Sequence, residues 1–148
     1  MKKIVTTFSQ QETIALGKCI GEHLNHGIVI TLTGELGSGK TTFTKGLGIG
    51  LEIAKEVNSP TFVISKIYHG RLDLVHIDAY RLEGLKQDLG LQDYFVKEWV
   101  SVIEWPQYIE HLLPKQVLAV KLEVTGEDQR SVTFECDEQV YEIIKDCV

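Results

Sequence analysis

The chain has 148 residues, a length typical of a single compact domain. Hydrophobic residues make up 43% and charged residues 24%, which excludes a disordered or collagen-like chain. Acidic residues outnumber basic ones by 21 to 15, and the formal net charge is −6. We therefore expect one domain over residues 1–148, without the basic surface that attracts RNA, DNA or anionic membranes.

The apolar runs and the cysteines bear on the cellular compartment. The longest apolar runs are a few residues long, far below the roughly 18 to 20 residues that span a bilayer. The N-terminus becomes polar too early for a secretory signal, so we expect a cytoplasmic protein that does not bind membranes. Cys19, Cys136 and Cys147 include no CxxC pair. They are predicted to be reduced, packed thiols rather than a zinc site or a disulfide.

The first half of the chain alternates strand and helix patterns. Ser9 and Glu12 form a capping box that opens the first helix. A continuous apolar run without charge then predicts a strand buried in a parallel sheet. The predicted elements are a strand over Lys3–Phe8, a helix from Ser9 to about residues 25–27, a strand over Ile28–Thr33 and a helix from about Lys40 to Leu47.

The second half contains two hairpin patterns, one further buried strand and a closing helix. The predicted elements are a hairpin of Thr61–Tyr68 and Leu72–Asp78, short helices within Tyr80–Phe95, a strand over Val100–Glu104, a hairpin of Val117–Val124 and Ser131–Cys136, and a helix over Glu138–Asp146. This mixed order predicts a three-layer α/β domain whose sheet is parallel at its centre and antiparallel at its edges.

Residues 34–41 have the sequence GELGSGKT, which matches the phosphate-loop pattern GxxxxGK(S/T) between a strand and a helix. Glycines allow backbone N–H groups to converge on a phosphate, and the helix N-terminus adds partial positive charge. Lys40, expected to be solvated before a nucleotide binds, should meet the β and γ phosphates, and the Thr41 hydroxyl should bind Mg²⁺. A plain glycine-rich turn is the alternative. The context favours a P-loop NTPase-like domain.

Two carboxylates end apolar strands and are candidates for the magnesium site. Asp78 closes the run Leu74–Asp78, and Glu104 closes the run Val100–Glu104. We expect Asp78 to bind Mg²⁺ directly or through water, and Glu104 to lie in its second sphere or orient the attacking water. The alternatives are a helix cap for Asp78 and a surface acid for Glu104.

Two weaker signals accompany these carboxylates. His76 lies on the same strand face as Asp78, where a hydrogen-bonded structural role is favoured over metal binding. Ser59–Phe62 carries hydroxyls that either sense the γ phosphate or belong to a plain turn.

Four motifs in this order resemble the TsaE family, also called YjeE, the small bacterial P-loop ATPases of threonylcarbamoyladenosine synthesis in tRNA. The resemblance runs from about Ser9 to Arg130. The motifs are residues 34–46, Ser59–Phe62, His76–Leu82 and Ile103–Pro106, and residues 90–95 are also similar.

The resemblance implies that ATP and Mg²⁺ bind at the loop and that the isolated protein hydrolyses ATP slowly. It implies association with the TsaB and TsaD proteins, where TsaD modifies the adenosine beside the anticodon, so that tRNA is met only indirectly. The implied nucleotide-binding residues are Gln10, Gly37, Ser38, Gly39, Lys40, Thr41, Thr42 and Arg130. The implied metal-binding residues are Thr41, Asp78 and Glu104, and the implied catalytic residues are Lys40, Asp78 and Glu104.

Three other functions share the same loop. A small-molecule kinase needs arginines around the transferred phosphoryl group, and the chain has only Arg71, Arg81 and Arg130. A GTPase reads guanine with an Asn-Lys-x-Asp motif, which neither asparagine provides. A nucleotide sensor without turnover stays open, and it is distinguished by whether Asp78 and Glu104 converge on the loop.

Overall fold

The structure is a computed structural model that describes residues 1–57, 65–82 and 98–148. Its strands are β1 (Lys2–Thr7), β2 (Val29–Thr33), β3 (Ser65–Tyr68), β4 (Asp73–Asp78), β5 (Trp99–Glu104), β6 (Val117–Val124) and β7 (Arg130–Glu135). Its helices are α1 (Gln10–His23), α2 (Lys40–Gly50) and α3 (Glu138–Ile144), with 3₁₀ helices at Ala79–Leu82 and Pro106–Leu112.

Within the described residues, seven strands form one sheet in the order β1-β7-β6-β2-β5-β4-β3. The four central strands β6, β2, β5 and β4 are parallel, whereas β1, β7 and β3 pair antiparallel with their neighbours. The prediction of a mixed, centrally parallel sheet is therefore confirmed. Central parallel strands are covered on both faces, which explains why β2 carries no charged residue.

Side chains that alternate along the central strands supply two cores. Leu74 of β4 belongs to the larger core beneath α1, α2 and α3. Val75 and Ile77 belong to a smaller core that includes Ile109 of the 3₁₀ helix Pro106–Leu112. The sheet is thus the middle of three layers, as predicted. Even-numbered residues of β4 face the helical layer that contains α2.

Helix α2 continues three residues beyond the predicted end at Leu47. The glycines that suggested an end lie instead where α2 crosses α1. A Cβ atom on Gly46 would collide with the carbonyl oxygen of Ile14, and one on Gly50 would collide with that of Lys18. The prediction was wrong because these glycines permit close helix packing rather than ending the helix.

Most other predicted elements lie within one or two residues of the observed bounds. Ser9 caps α1 by accepting a hydrogen bond from the backbone N–H of Glu12 at 3.1 Å. The first hairpin is observed as β3 and β4, and the short helices as Ala79–Leu82. The remainder of both predictions, in residues 61–64 and 83–95, lies outside the described residues. None of the helices in the described parts of the chain combines the length and apolar character needed to cross a bilayer.

The prediction of three reduced thiols is wrong for two of them. Cys19 on α1 and Cys147 after α3 form a disulfide, with their Cα atoms 5.8 Å apart, whereas Cys136 is free. Helix α3 returns the chain to α1 and brings the two cysteines within disulfide distance. Their separation of 128 residues leaves no local sequence pattern that reveals this contact.

We expect Gly46→Ala to lower the free energy of unfolding by about 2 kcal/mol or more, because α1 and α2 must separate. Helix propensity alone would give the opposite sign, a gain of roughly 1 kcal/mol. Urea unfolding checks this expectation.

Gly48→Ala is the matched control on the same helix. A Cβ atom on Gly48 would meet the side chain of Val57 rather than backbone. Because that side chain can move, the loss of unfolding free energy should be smaller. A Gly46→Ala variant as stable as the parent would show that the helices have spare room.

Candidate functional site

The site lies where parallel strands end at one edge of the sheet. Leu32 of β2 pairs with Glu104 of β5, and Glu104 in turn pairs with Asp78 of β4. The two predicted carboxylates are therefore neighbours across a ladder. The glycine loop begins two residues after Leu32, at the edge where open α/β sheets bind their ligands.

The loop has the backbone expected of a phosphate cradle. Gly37 and Gly39 adopt left-handed conformations with φ of 82° and 102°, which side chains disfavour. Gly39 is also the N-cap of α2 and has no side chain with which to cap the first helical N–H groups. These N–H groups and the positive end of the helix suit an anionic ligand.

A cavity of about 540 Å³ opens at this edge, a size suited to a small ligand. Its lining residues are Ser9, Gln10, Thr13, Leu36, Gly37, Gly39, Lys40, Thr41, Thr42, Asp78, Glu104, Trp105, Asp128 and Arg130. Every predicted site residue except Ser38 is among them. Ser38 is buried instead, and its hydroxyl has no hydrogen-bond partner among the described residues.

Glu104 is buried between two basic side chains. His76 donates a hydrogen bond from Nε2 to Glu104 Oε2 at 2.8 Å, and Lys40 Nζ lies 3.7 Å from Glu104 Oε1. Because Glu104 is only 7% exposed, the surface-acid alternative is wrong. Burial alone raises the pKa of Glu104, but the His76 hydrogen bond, with the His76 and Lys40 charges, outweighs it and lowers the pKa below its usual value.

Lys40 is not solvated as predicted. Its side chain is 12% exposed, and both Glu104 and Trp105 lie against it. The ammonium lies 5.1 Å from the centre of the Trp105 ring, within cation–π range. Trp105 has a left-handed backbone (φ 59°), and its ring also packs on Tyr80 and Tyr108.

Asp78 is partly buried and lines the cavity from the end of β4. Its Oδ1 accepts a hydrogen bond from the Tyr80 N–H at 3.0 Å, so the helix-cap alternative agrees with the structure. A cap does not exclude a metal role, since a carboxylate accepts several bonds. Asp78, Glu104 and the Thr41 hydroxyl offer the oxygen ligands that Mg²⁺ prefers, and all three line one cavity.

His76 agrees with its favoured interpretation as a hydrogen-bonded residue. It is fully buried and holds Glu104 rather than facing the cavity. The other uncertain motif, Ser59–Phe62, lies outside the described residues and stays a prediction.

The two residues implied by resemblance, Gln10 and Arg130, both border the cavity. Gln10 is the first residue of α1. Arg130 opens β7 and donates to the Gly37 carbonyl of the loop at 3.3 Å and to the Gln129 carbonyl at 2.9 Å. Their place in the cavity is that expected of nucleotide-binding residues, and their roles remain predictions.

Sequence reasoning did not assign several lining residues to the site. Trp105 was available within the motif Ile103–Pro106, and Thr13 lies one turn after Ser9 on the same helix face. No sequence signal marks Asp128, which lies in the turn between β6 and β7.

A buried strand, a glycine loop and a helix at the carboxyl edge of a parallel sheet define a P-loop fold. The family model described as threonylcarbamoyl adenosine biosynthesis protein TsaE matches residues 7–132. The chain belongs to the TsaE family.

Individual relatives agree with this assignment. The chain is 44% identical to the tRNA threonylcarbamoyladenosine biosynthesis protein TsaE of Bacillus subtilis, over 93% of this chain and 88% of that one. It is 41% identical to the protein of the same name in Treponema pallidum, over 84% and 94%. The crystal structure of YdiB from Bacillus subtilis superposes with a TM-score of 0.81 at 35% identity, covering 99% of this chain and 93% of that one.

The lowered pKa of Glu104 gives an expected pH dependence. A carboxyl whose pKa is lower in the folded protein stabilises the fold above its unfolded value, near 4.5, and loses that effect as the pH falls through the folded value. We expect Glu104→Gln to cost about 1 to 3 kcal/mol at pH 7 and progressively less below pH 4.5.

Denaturant unfolding of parent and variant between pH 7 and pH 3 measures this difference. Titration of the groups that do not contact Glu104 cancels in the comparison. A difference that stays constant across the range would mean that Glu104 is not charged in the folded protein.

Proposed function

We propose that this protein binds ATP and Mg²⁺ in the cavity between the glycine loop and the ends of β4 and β5, and that it hydrolyses ATP. The loop N–H groups and Lys40 bind the phosphates. Gln10 and Arg130 border the rest of the nucleotide. Thr41 and Asp78 hold the metal, whose chemistry is to neutralise charge on the phosphates.

The observation that supports turnover is the convergence of Asp78 and Glu104 on the cavity that Lys40 and Thr41 also line. A sensor needs the loop alone, whereas hydrolysis needs a carboxylate that can orient water. His76 fixes one oxygen of Glu104 at 2.8 Å, and the other faces Lys40. Glu104, held in this way and charged at neutral pH, is suited to accept a hydrogen bond from the attacking water.

The positions of two arginines disfavour the kinase alternative. Arg71 donates to the carbonyls of Leu24 at 2.7 Å and Gly21 at 2.8 Å, at the end of α1, and does not line the cavity. Arg130 lines the cavity but is held by loop and turn carbonyls. Of the two arginines whose side chains the structure describes, only Arg130 therefore borders the cavity, whereas a clamp on a transferred phosphoryl group usually needs several.

We place this ATPase in threonylcarbamoyladenosine synthesis, the pathway named for its relatives. The TsaD and TsaB proteins are the proposed partners, and tRNA is met through them. The net charge of −6 supports this arrangement, because autonomous RNA binding depends on lysine and arginine contacts to phosphates. The proposed location is the cytoplasm, where tRNA is modified.

Lys40→Ala should weaken ATP affinity at least ~10-fold, because it removes the charge that meets the β and γ phosphates. Calorimetric titration with ATP and Mg²⁺ measures the change. Lys45→Ala is the matched control, since Lys45 lies on the same helix but pairs with Glu56 at 2.9 Å, away from the cavity. The nucleotide site is wrong if Lys40→Ala binds ATP like the parent.

ATP turnover with and without purified TsaB and TsaD tests the enzyme and its partners together. The parent should turn over slowly alone and faster with both proteins. Glu104→Gln should retain ATP binding but lose at least ~10-fold in turnover, about 1.4 kcal/mol of barrier lowering. Asp78→Asn should also require a higher Mg²⁺ concentration for turnover than the parent does.

The arms of this assay separate the parts of the proposal. If both carboxylate variants turn over like the parent, the catalytic assignment fails. If TsaB and TsaD leave the parent rate unchanged, the partnership fails while the ATPase stands. A further assay adds tRNA without TsaB and TsaD. Stimulation of ATP turnover by tRNA alone would favour direct RNA binding.

A further inference from the structure

The disulfide between Cys19 and Cys147 has a histidine beside it. His23 lies one helical turn after Cys19 on α1, and its Nδ1 is 3.5 Å from the sulfur of Cys147 and 3.8 Å from that of Cys19. All three side chains are partly exposed. A small reagent can therefore reach them, unlike the buried residues around Glu104.

A backbone contact fixes the proton on His23. Nδ1 lies 2.8 Å from the carbonyl oxygen of Cys19, and a carbonyl oxygen only accepts hydrogen bonds. Nδ1 must therefore be the donor and carry the hydrogen. An N–H group directed between a carbonyl and two sulfur atoms stabilises a thiolate when the disulfide is reduced. Because Nδ1 carries this hydrogen, it has no lone pair free to bind a metal ion, although the three side chains lie close enough together to form a metal site.

We propose that Cys19, His23 and Cys147 form a thiol–disulfide site that low-molecular-weight disulfides oxidise reversibly. The structure shows its oxidised form. Cys147 is the first nucleophile, because its sulfur is nearer to the His23 N–H group, and Cys19 is the resolving thiol.

The reaction has two exchange steps. The Cys147 thiolate attacks one sulfur of R–S–S–R, which forms a mixed disulfide and releases RS⁻. The Cys19 thiolate then attacks the Cys147 sulfur, which forms the protein disulfide and releases the second RS⁻. The two protein thiols lose two electrons and two protons, and the oxidant becomes two molecules of R–SH. Excess R–SH reverses both steps.

Oxidation links the segment that follows α3 to α1. Gln10 at the start of this helix lines the cavity, and Cys19 lies about 14 Å further along the helix axis. The thiol site is thus separate from the proposed nucleotide site. Its test does not depend on ATP turnover.

Cys136 provides an internal comparison. It is the free cysteine of the chain, it is also partly buried, and burial raises the pKa of its thiol. It should therefore react more slowly than Cys147.

The experiment treats reduced protein with oxidised glutathione, alkylates the remaining thiols and locates each modification by mass spectrometry. The parent should form the Cys19–Cys147 disulfide and leave Cys136 to be alkylated. Cys136→Ser should oxidise like the parent. Cys19→Ser should trap glutathione on Cys147, and His23→Gln should slow oxidation at least ~5-fold without changing the alkylation of Cys136.

Thermal unfolding gives a second readout. Closing a loop of this length restricts the unfolded chain, so oxidation should raise the Tm of the parent by roughly 5 °C or more. Cys147→Ser, which cannot form the disulfide, should show no difference in Tm between oxidising and reducing conditions.

Several results would overturn the site. One is a parent protein whose three thiols all stay reduced, and another is glutathione trapped on Cys136 as readily as on Cys147. Equal oxidation rates in parent and His23→Gln would remove the role of the histidine. Stoichiometric binding of Zn²⁺ by the reduced parent, lost in Cys19→Ser, would replace the thiol–disulfide site with a metal site.

Discussion

The register between β4 and β5 is the constraint on which the site depends. Because Asp78 pairs with Glu104 across this parallel ladder, both carboxylates lie at the edge of the sheet where β2 ends and the glycine loop begins. A slip of one residue would turn His76 and Asp78 toward the opposite layer, since side chains alternate along a strand. Glu104 would then keep its burial and lose its hydrogen-bond donor, which a buried charge does not tolerate.

The helical layer adds a second constraint, the close approach of α1 and α2. Gly17 and Gly46 are points where one helix lies against the backbone of the other. This contact places the first turn of α1, with Gln10, beside the loop that begins α2. Arg71 reinforces the arrangement from the far end, because it donates to carbonyls at the end of α1 and to the Gly50 carbonyl of α2. The close contact of the two helices therefore positions the residues that both contribute to the cavity lining.

The sequence predicts what is encoded locally. Lys40 and Thr41 belong to a contiguous pattern, and Asp78 and Glu104 each close an apolar run, so their convergence follows from the geometry of a parallel sheet. The covering of Lys40 was not predictable, since it depends on side chains from two separate segments. The glycines of α2 led to a wrong predicted end for this helix, because glycine is common both at helix ends and where two helices pack closely. The disulfide of Cys19 joins distant parts of the chain and leaves no periodic signal.

The pairing of Lys40 with Glu104 has a consequence for ligand selection. An anion that approaches the ammonium competes with the carboxylate of Glu104, which already lies 3.7 Å from it, while the Trp105 ring packs against the ammonium. To displace Glu104, a ligand must carry enough negative charge to attract the Lys40 ammonium more strongly than one carboxylate does in a cavity where water screens charges poorly. Under the proposed function, this competition selects against singly charged anions and in favour of polyphosphates with an accompanying cation.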